Sequence, residues 1–211
     1  MEMITAIMHG SFLTLGLILP LGVQNVFIFN QGSSQRLFWH ALPSILTAAS
    51  CDTLMIVASI MGLSVLLMQH EMLKIGMMVV GSFFLLYMGF VLWNQTARSK
   101  HQKAIPLSWQ KQILFAASVS LLNPHAILDI IMVIGTNALP YASSTKIAYT
   151  MSCITVTWIW FFALGLSARM VSRYDQKGMV TFYINKCAAL IVWVISAHFF
   201  YDLVMIWYKK Y

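Results

Sequence analysis

The stretch Leu19-Pro20-Leu21-Gly22-Val23-Gln24-Asn25 lies inside a long apolar run, residues 4–29. Such a run exceeds the roughly 20 residues that a membrane-spanning helix needs. Proline removes one helical hydrogen bond and clashes with the turn before it, and Gly22 adds freedom beside it. Gln24 and Asn25 then place two amides where lipid would penalise them. The economical reading is a kinked or unwound helix that faces a polar cavity. The N–H groups freed beyond such a break can hold a carboxylate. The plainer alternative is a kink whose amides only bond neighbouring helices.

Five more apolar runs follow, over about 38–68, 72–93, 113–134, 147–166 and 184–207. They are apolar on all sides and longer than the roughly 10-residue alternating strands of a membrane barrel. Helices satisfy their own backbone in lipid. The expectation is therefore an all-α, polytopic membrane bundle of about six transmembrane helices, one domain over 1–211. The polar stretch 94–112 reads as the connecting loop between two halves. The first run opens Met1-Glu2-Met3 without a basic leader and shows no cleavage site, so it reads as a retained span and not a signal peptide.

Composition agrees. Hydrophobic residues make up 60% of the chain and charged ones 9%, against about 25% charged in an ordinary soluble domain. Mean hydropathy is +0.78. Disorder needs the opposite composition, and three cysteines inside apolar runs make no disulfide framework. The net charge of +7 does not indicate nucleic acid, because no basic segment is long enough to form a groove-binding face. Nine of the cations (Arg36, Arg98, Lys100, Lys103, Lys111, Arg169, Arg173, Lys177, Lys186) follow runs one, three and five. Four (Lys74, Lys146, Lys209, Lys210) fall on the other side. The positive-inside rule makes the nine-charge side cytoplasmic and the C-terminus extracytoplasmic. The N-terminus is also outside if the first run crosses completely.

The halves resemble each other. Pro20 precedes Asn25 by five residues, as Pro124 precedes Asp129. Ser50-Cys51-Asp52-Thr53 with Gly62-Leu63-Ser64 is answered by Ser152-Cys153-Ile154-Thr155 with Gly165-Leu166-Ser167. Tyr87 and Trp93 are answered by Tyr201 and Trp207. The matches keep their order at offsets of about 102 to 114 residues. Two repeats, about 4–93 and 113–207, with three spans each would enter the membrane with opposite polarity. Inverted repeats of this kind recur in secondary transporters, with the site near the midplane.

Two acids stand inside apolar runs, Asp52 and Asp129, with no mid-span cation to pair with either. An acid at a helix centre costs roughly 2.5–3.5 kcal/mol on insertion scales, which points to a shared cavity that attracts a cation or carries a proton. Asn123-Pro124-His125 repeats the first break, and His125 shares a helical face with Asp129 four residues on. The candidate substrate or proton residues are thus Asp52, Asp129, Gln24, Asn25, Asn123 and His125, and the hinges are Pro20, Gly22 and Pro124. Asp202, near a span end, is not a candidate. No metal-ligand spacing, nucleotide loop or nucleophile elbow is present, so no cofactor or metal is expected. No single stripe of small residues marks a dimer face, and homo-oligomerisation stays open.

Leu19 to Asn25, followed by Phe29-Asn30-Gln31-Gly32, resembles the first-span signature of the LysE/ArgO exporters of basic amino acids. Asp52 matches the aspartate those proteins carry in the second span, and Leu122-Asn-Pro-His-Ala-Ile-Leu-Asp129 is similar to their second signature. Val23 departs from the family's usual second proline. Gln24-Asn25 and Asn30-Gln31-Gly32 favour this branch over the homoserine/threonine exporters. The resemblance, which spans nearly the whole chain, implies a bacterial plasma-membrane exporter of lysine or arginine. Its partners would be the bilayer, the amino acid and protons. In that reading the two acids hold the substrate's cations or exchange them for protons, and Gln24 and Asn25 orient its α-amino-acid part. Two rival readings remain: an exporter of a neutral amino acid or metal cation, and a membrane enzyme using His125 with the aspartates.

Overall fold

The computed structural model describes residues 2–20, 22–35, 37–63, 71–94, 107–175 and 178–210. Among them the chain is helical, with no strand. Helices α1 (Glu2–Ile18) and α2 (Val23–Ser34) form a pair bent by 79°. A 3-10 turn, Phe38–Ala41, leads into α3 (Leu42–Ala58), which continues as a π-helical turn over Ser59–Leu63. Helix α4 is Glu71–Trp93, and α5 is Trp109–Leu122. Helix α6 opens over Pro124–Leu128, widens to a π-helix over Asp129–Ile134 and closes over Gly135–Asn137. Helices α7 (Ser143–Tyr174) and α8 (Met179–Lys210) complete the order. Four helical stretches are long and apolar enough to cross a membrane: Phe38–Gly62, Ile75–Trp93, Ser144–Tyr174 and Met179–Ile206. The bent pairs α1/α2 and α5/α6, the latter at 65°, raise the number to six if each pair is one span.

Several boundaries differ from those read from hydropathy. α7 extends beyond 147–166 at both ends, and α8 begins five residues before 184. Trp109 to Gln112, expected in the connecting loop, form the first turn of α5. Hydropathy marks where apolar side chains stop, whereas a helix continues until its backbone is capped. Residues 64–68 of the second run, the two that follow it, and 95–106 of the connecting loop lie outside the described residues.

Helix α7 braces both arms of the first bent pair. On α1 the buried residues are Ala6, Gly10 and Thr14, spaced four apart on one stripe. A Cβ at Gly10 would sit 2.9 Å from the Tyr149 carbonyl oxygen, and one at Gly32 of α2 would sit 2.5 Å from that of Gly165. Small residues allow such backbone approach, which substitutes for a hydrophobic drive that lipid does not supply. α3 packs on α5 and α7, and α4 packs on α8, where the Ser196 hydroxyl donates to the Ser82 carbonyl at 2.9 Å. The outward faces carry exposed Phe12, Leu54, Val80, Ile159 and Val194, as lipid contact requires.

Polar side chains tie together the ends of α2, α5 and α7. Gln35 donates to the Leu107 carbonyl (3.2 Å), and Gln112 donates to the carbonyls of His40 and Leu107 (2.9 Å each). Arg169 of α7 donates to the Gln35 carbonyl at 2.7 Å. Except for the local bond from Gln112 to Leu107, these bonds link segments 72 or more residues apart.

Candidate functional site

A cavity lies where the two helix breaks meet α3, α4, α7 and α8. Its empty volume, open mouth included, is about 780 Å³. The wall contains Pro20, Gly22, Gln24 and Asn25 from the first break, Asp52 from α3, and Asn123 and Asp129 from the second break. Most of the rest is apolar, including Ile18, Ile56, Leu85, Ile130 and Phe161. Among the described lining residues there is no lysine or arginine. A wall with two carboxylates and no cation favours a positively charged guest, and its apolar surround strengthens that preference.

The first break is organised by side chains. Past Ile18 the backbone leaves the helix, and Gly22 N–H turns back to the Pro20 carbonyl at 2.7 Å. The Asn25 amide group donates to the Ile18 carbonyl (2.6 Å) and the Pro20 carbonyl (2.9 Å). Its oxygen accepts the indole N–H of Trp160 on α7 at 3.1 Å. Asn25 thus spends both of its donor sites on carbonyls at the bend. Next to it, the Gln24 amide donates to Asp52 Oδ1 at 3.0 Å. Asp52 is 4% exposed and borders the cavity, and this bond holds its carboxyl in place.

The second break is built differently. Asn123 ends α5 with extended backbone (φ −82°, ψ 104°), and its carbonyl accepts the Ile127 N–H at 3.1 Å. Pro124 begins α6, a position where its missing N–H costs nothing. Asp129 starts the π-helical stretch and is half-buried. A π-turn misaligns successive carbonyls, and the Ser59 hydroxyl of α3 lies 3.2 Å from the Ile130 carbonyl and 3.1 Å from that of Ile131.

Seven of the nine residues singled out from the sequence border this one cavity: Pro20, Gly22, Gln24, Asn25, Asp52, Asn123 and Asp129. The side chains of Pro124 and His125 lie outside the described residues. Asp202 is remote from the cavity and pairs with His198 at 3.5 Å on the surface of α8. Sequence reasoning missed Trp160, Ser59, Thr14 and Thr157. Their roles depend on partners between 71 and 135 residues away, or on a place in the cavity wall. Among the described residues no three His, Cys, Asp or Glu side chains gather as a metal site.

The family described as LysE type translocator matches residues 15–203. The chain is 46% identical over 194 residues to the Bacillus subtilis (strain 168) protein named "Putative amino-acid transporter YisU", covering 92% of this chain and 88% of that protein. It is 32% identical over 201 residues to the arginine exporter protein ArgO of Pectobacterium carotovorum subsp. carotovorum (strain PC1), covering 92% and 96%. It is 31% identical over 198 residues to ArgO of Klebsiella pneumoniae (strain 342), covering 92% of each. No solved structure matches the chain.

Proposed function

Because the chain belongs to the LysE type translocator family, we propose that the cavity is the transport site of an amino-acid exporter whose substrates are arginine and lysine. The observation that carries this reading is the wall itself: two carboxylates, two broken helices and, among the described lining residues, no competing cation. The relatives named as arginine exporters support the basic class, and a family of transporters argues against an enzyme. The protein is a multi-pass membrane protein. On the exporter reading its home is the bacterial inner membrane, and the distribution of Lys and Arg supports an extracytoplasmic C-terminus.

The two halves act as an inverted repeat around the cavity. Each begins with a proline-broken helix, and the packing of α1 on α7 is answered by that of α5 on α3. Pro20, Gly22 and Pro124 are the hinges that let one half rock against the other. Asp52 and Asp129 hold the substrate's cationic groups, with His125 four residues before Asp129. Gln24 orients the Asp52 carboxyl, Asn25 keeps the first break closed, and Asn123 sets the second.

Export needs coupling. Moving one positive charge out against an inside-negative potential costs about 2.3 kcal/mol per 100 mV. Exchange for one inward proton cancels that charge movement and leaves the proton gradient to drive export. A carboxyl that binds either a proton or the substrate cation enforces the exchange. The test is uptake of labelled arginine and lysine into everted vesicles, with and without a protonophore. Protein-dependent, protonophore-sensitive uptake is expected. Uptake of neither amino acid overturns the reading and leaves a neutral amino acid or a metal cation to be assayed in the same vesicles.

A further inference from the structure

The cavity wall contains a hydroxyl with no use in the account so far. Thr14 of α1 is 2% exposed and borders the cavity, and its Oγ1 has no hydrogen-bond partner. A helical threonine commonly returns its hydroxyl to the carbonyl four residues back. Thr47, Thr53, Thr150 and Thr157 all do so here. For Thr14 that carbonyl belongs to Gly10, and the Cys153 thiol of α7 already occupies it at 3.6 Å. That same thiol is the nearest partner for the hydroxyl, at a geometry outside an ordinary hydrogen bond, and sulfur is a weak partner. A buried hydroxyl left over at a cavity wall needs an explanation, and a guest's polar group supplies one.

The surroundings say which group. The two carboxylates repel an anion and fit the cationic ends of a basic amino acid, so its carboxylate needs donors elsewhere. The first turn of α2 opens into the same cavity through Gly22, Val23 and Gln24, and no side chain caps it. Its N–H groups favour an anion. We propose that Thr14 is a substrate-binding residue that donates its hydroxyl to the α-carboxylate, sharing that group with the first turn of α2. Thr14 is then what distinguishes a basic amino acid from its decarboxylated amine. The inference rests on the exporter reading.

The experiment measures labelled arginine uptake into everted vesicles, with agmatine, the decarboxylated amine, as a competitor. In Thr14→Val, the KM for arginine is expected to rise about 10-fold or more, the size of one lost hydrogen bond to a charged group. The inhibition constant of agmatine should stay within about twofold, and Thr14→Ser should keep the wild-type KM. Should Thr14→Val fail to reach the membrane, Thr14→Ala carries the same comparison. An unchanged arginine KM, or equal weakening of arginine and agmatine, overturns the assignment while leaving the exporter reading intact. No wild-type uptake of arginine or lysine overturns the exporter reading, and this assignment falls with it.

Discussion

The first helix break is closed by an amide from its own segment, the second by a hydroxyl from the opposite half. At the first, Asn25 returns to the carbonyls of Ile18 and Pro20 and is itself pinned by Trp160. At the second, the residue in the equivalent position is Asp129. A carboxyl offers at most one donor against the two of an amide, so that break cannot close on itself in the same way. Its helix widens into a π-turn, and Ser59 of α3 reaches the loosened carbonyls. The same contrast runs through the neighbours, since Gln24 and Asp52 are answered by Leu128 and Ile154. One half has become the more polar side of the cavity, with a locally clamped bend. The other keeps a carboxylate on a helix held from outside. In the repeat proposed above, the two halves thus do different jobs.

Three substitutions test that division most directly. Asp52→Asn should reduce basic amino-acid export by roughly 100-fold, the scale of losing a buried charge's partner, with the protein still in the membrane. Asp129→Asn should also abolish coupled export, but a purified Asp129→Asn protein should unfold at the wild-type temperature. Retained export in both would defeat the two-carboxylate site. Next in size is Asn25→Asp, which makes the first break resemble the second. It removes donors from two carbonyls, so about 2–4 kcal/mol of stability should go, visible as a lower melting temperature in detergent. A melting temperature equal to wild type would show that the clamp is dispensable.

The difference in legibility between the two breaks has a physical origin. Proline and acid residues inside apolar runs stand out because each carries a large cost that packing alone does not offset. Pro20, Asp52, Pro124 and Asp129 could therefore be picked from the chain. Trp160 and Ser59 could not. A tryptophan in a membrane span reads as packing or belt, and a serine reads as a small interior residue. Only the fold shows that Trp160 meets Asn25 across 135 residues. Gln112 was lost for another reason, because its polar neighbours resemble a loop although it is 1% exposed in the first turn of α5.

The smaller tests use those hidden residues. Trp160→Phe keeps the ring and removes one hydrogen bond, so about 1 kcal/mol of stability should be lost. Export should slow at constant substrate affinity, because the hinge and not the binding group is loosened. A change in KM alone would move Trp160 into the binding site. Ser59→Ala should cost less than about 1 kcal/mol, measured by thermal unfolding, since the π-turn carbonyls lie next to a cavity that water can enter. A larger loss than that of Trp160→Phe would reverse the ranking of the two supports.

The bond between Asn25 and Trp160 also sets a timetable for the growing chain. Nearly everything else that the first break needs is local: its two carbonyls lie five and seven residues from Asn25, and Asp52 lies 28 residues from Gln24. Trp160 emerges from the ribosome 135 residues after Asn25. At about 5–20 residues per second of synthesis, the bend spends roughly 7–27 s inserted but unpinned. During that interval the nascent protein already carries a buried carboxyl and a half-finished hinge, and whatever shelters membrane helices during insertion must tolerate both.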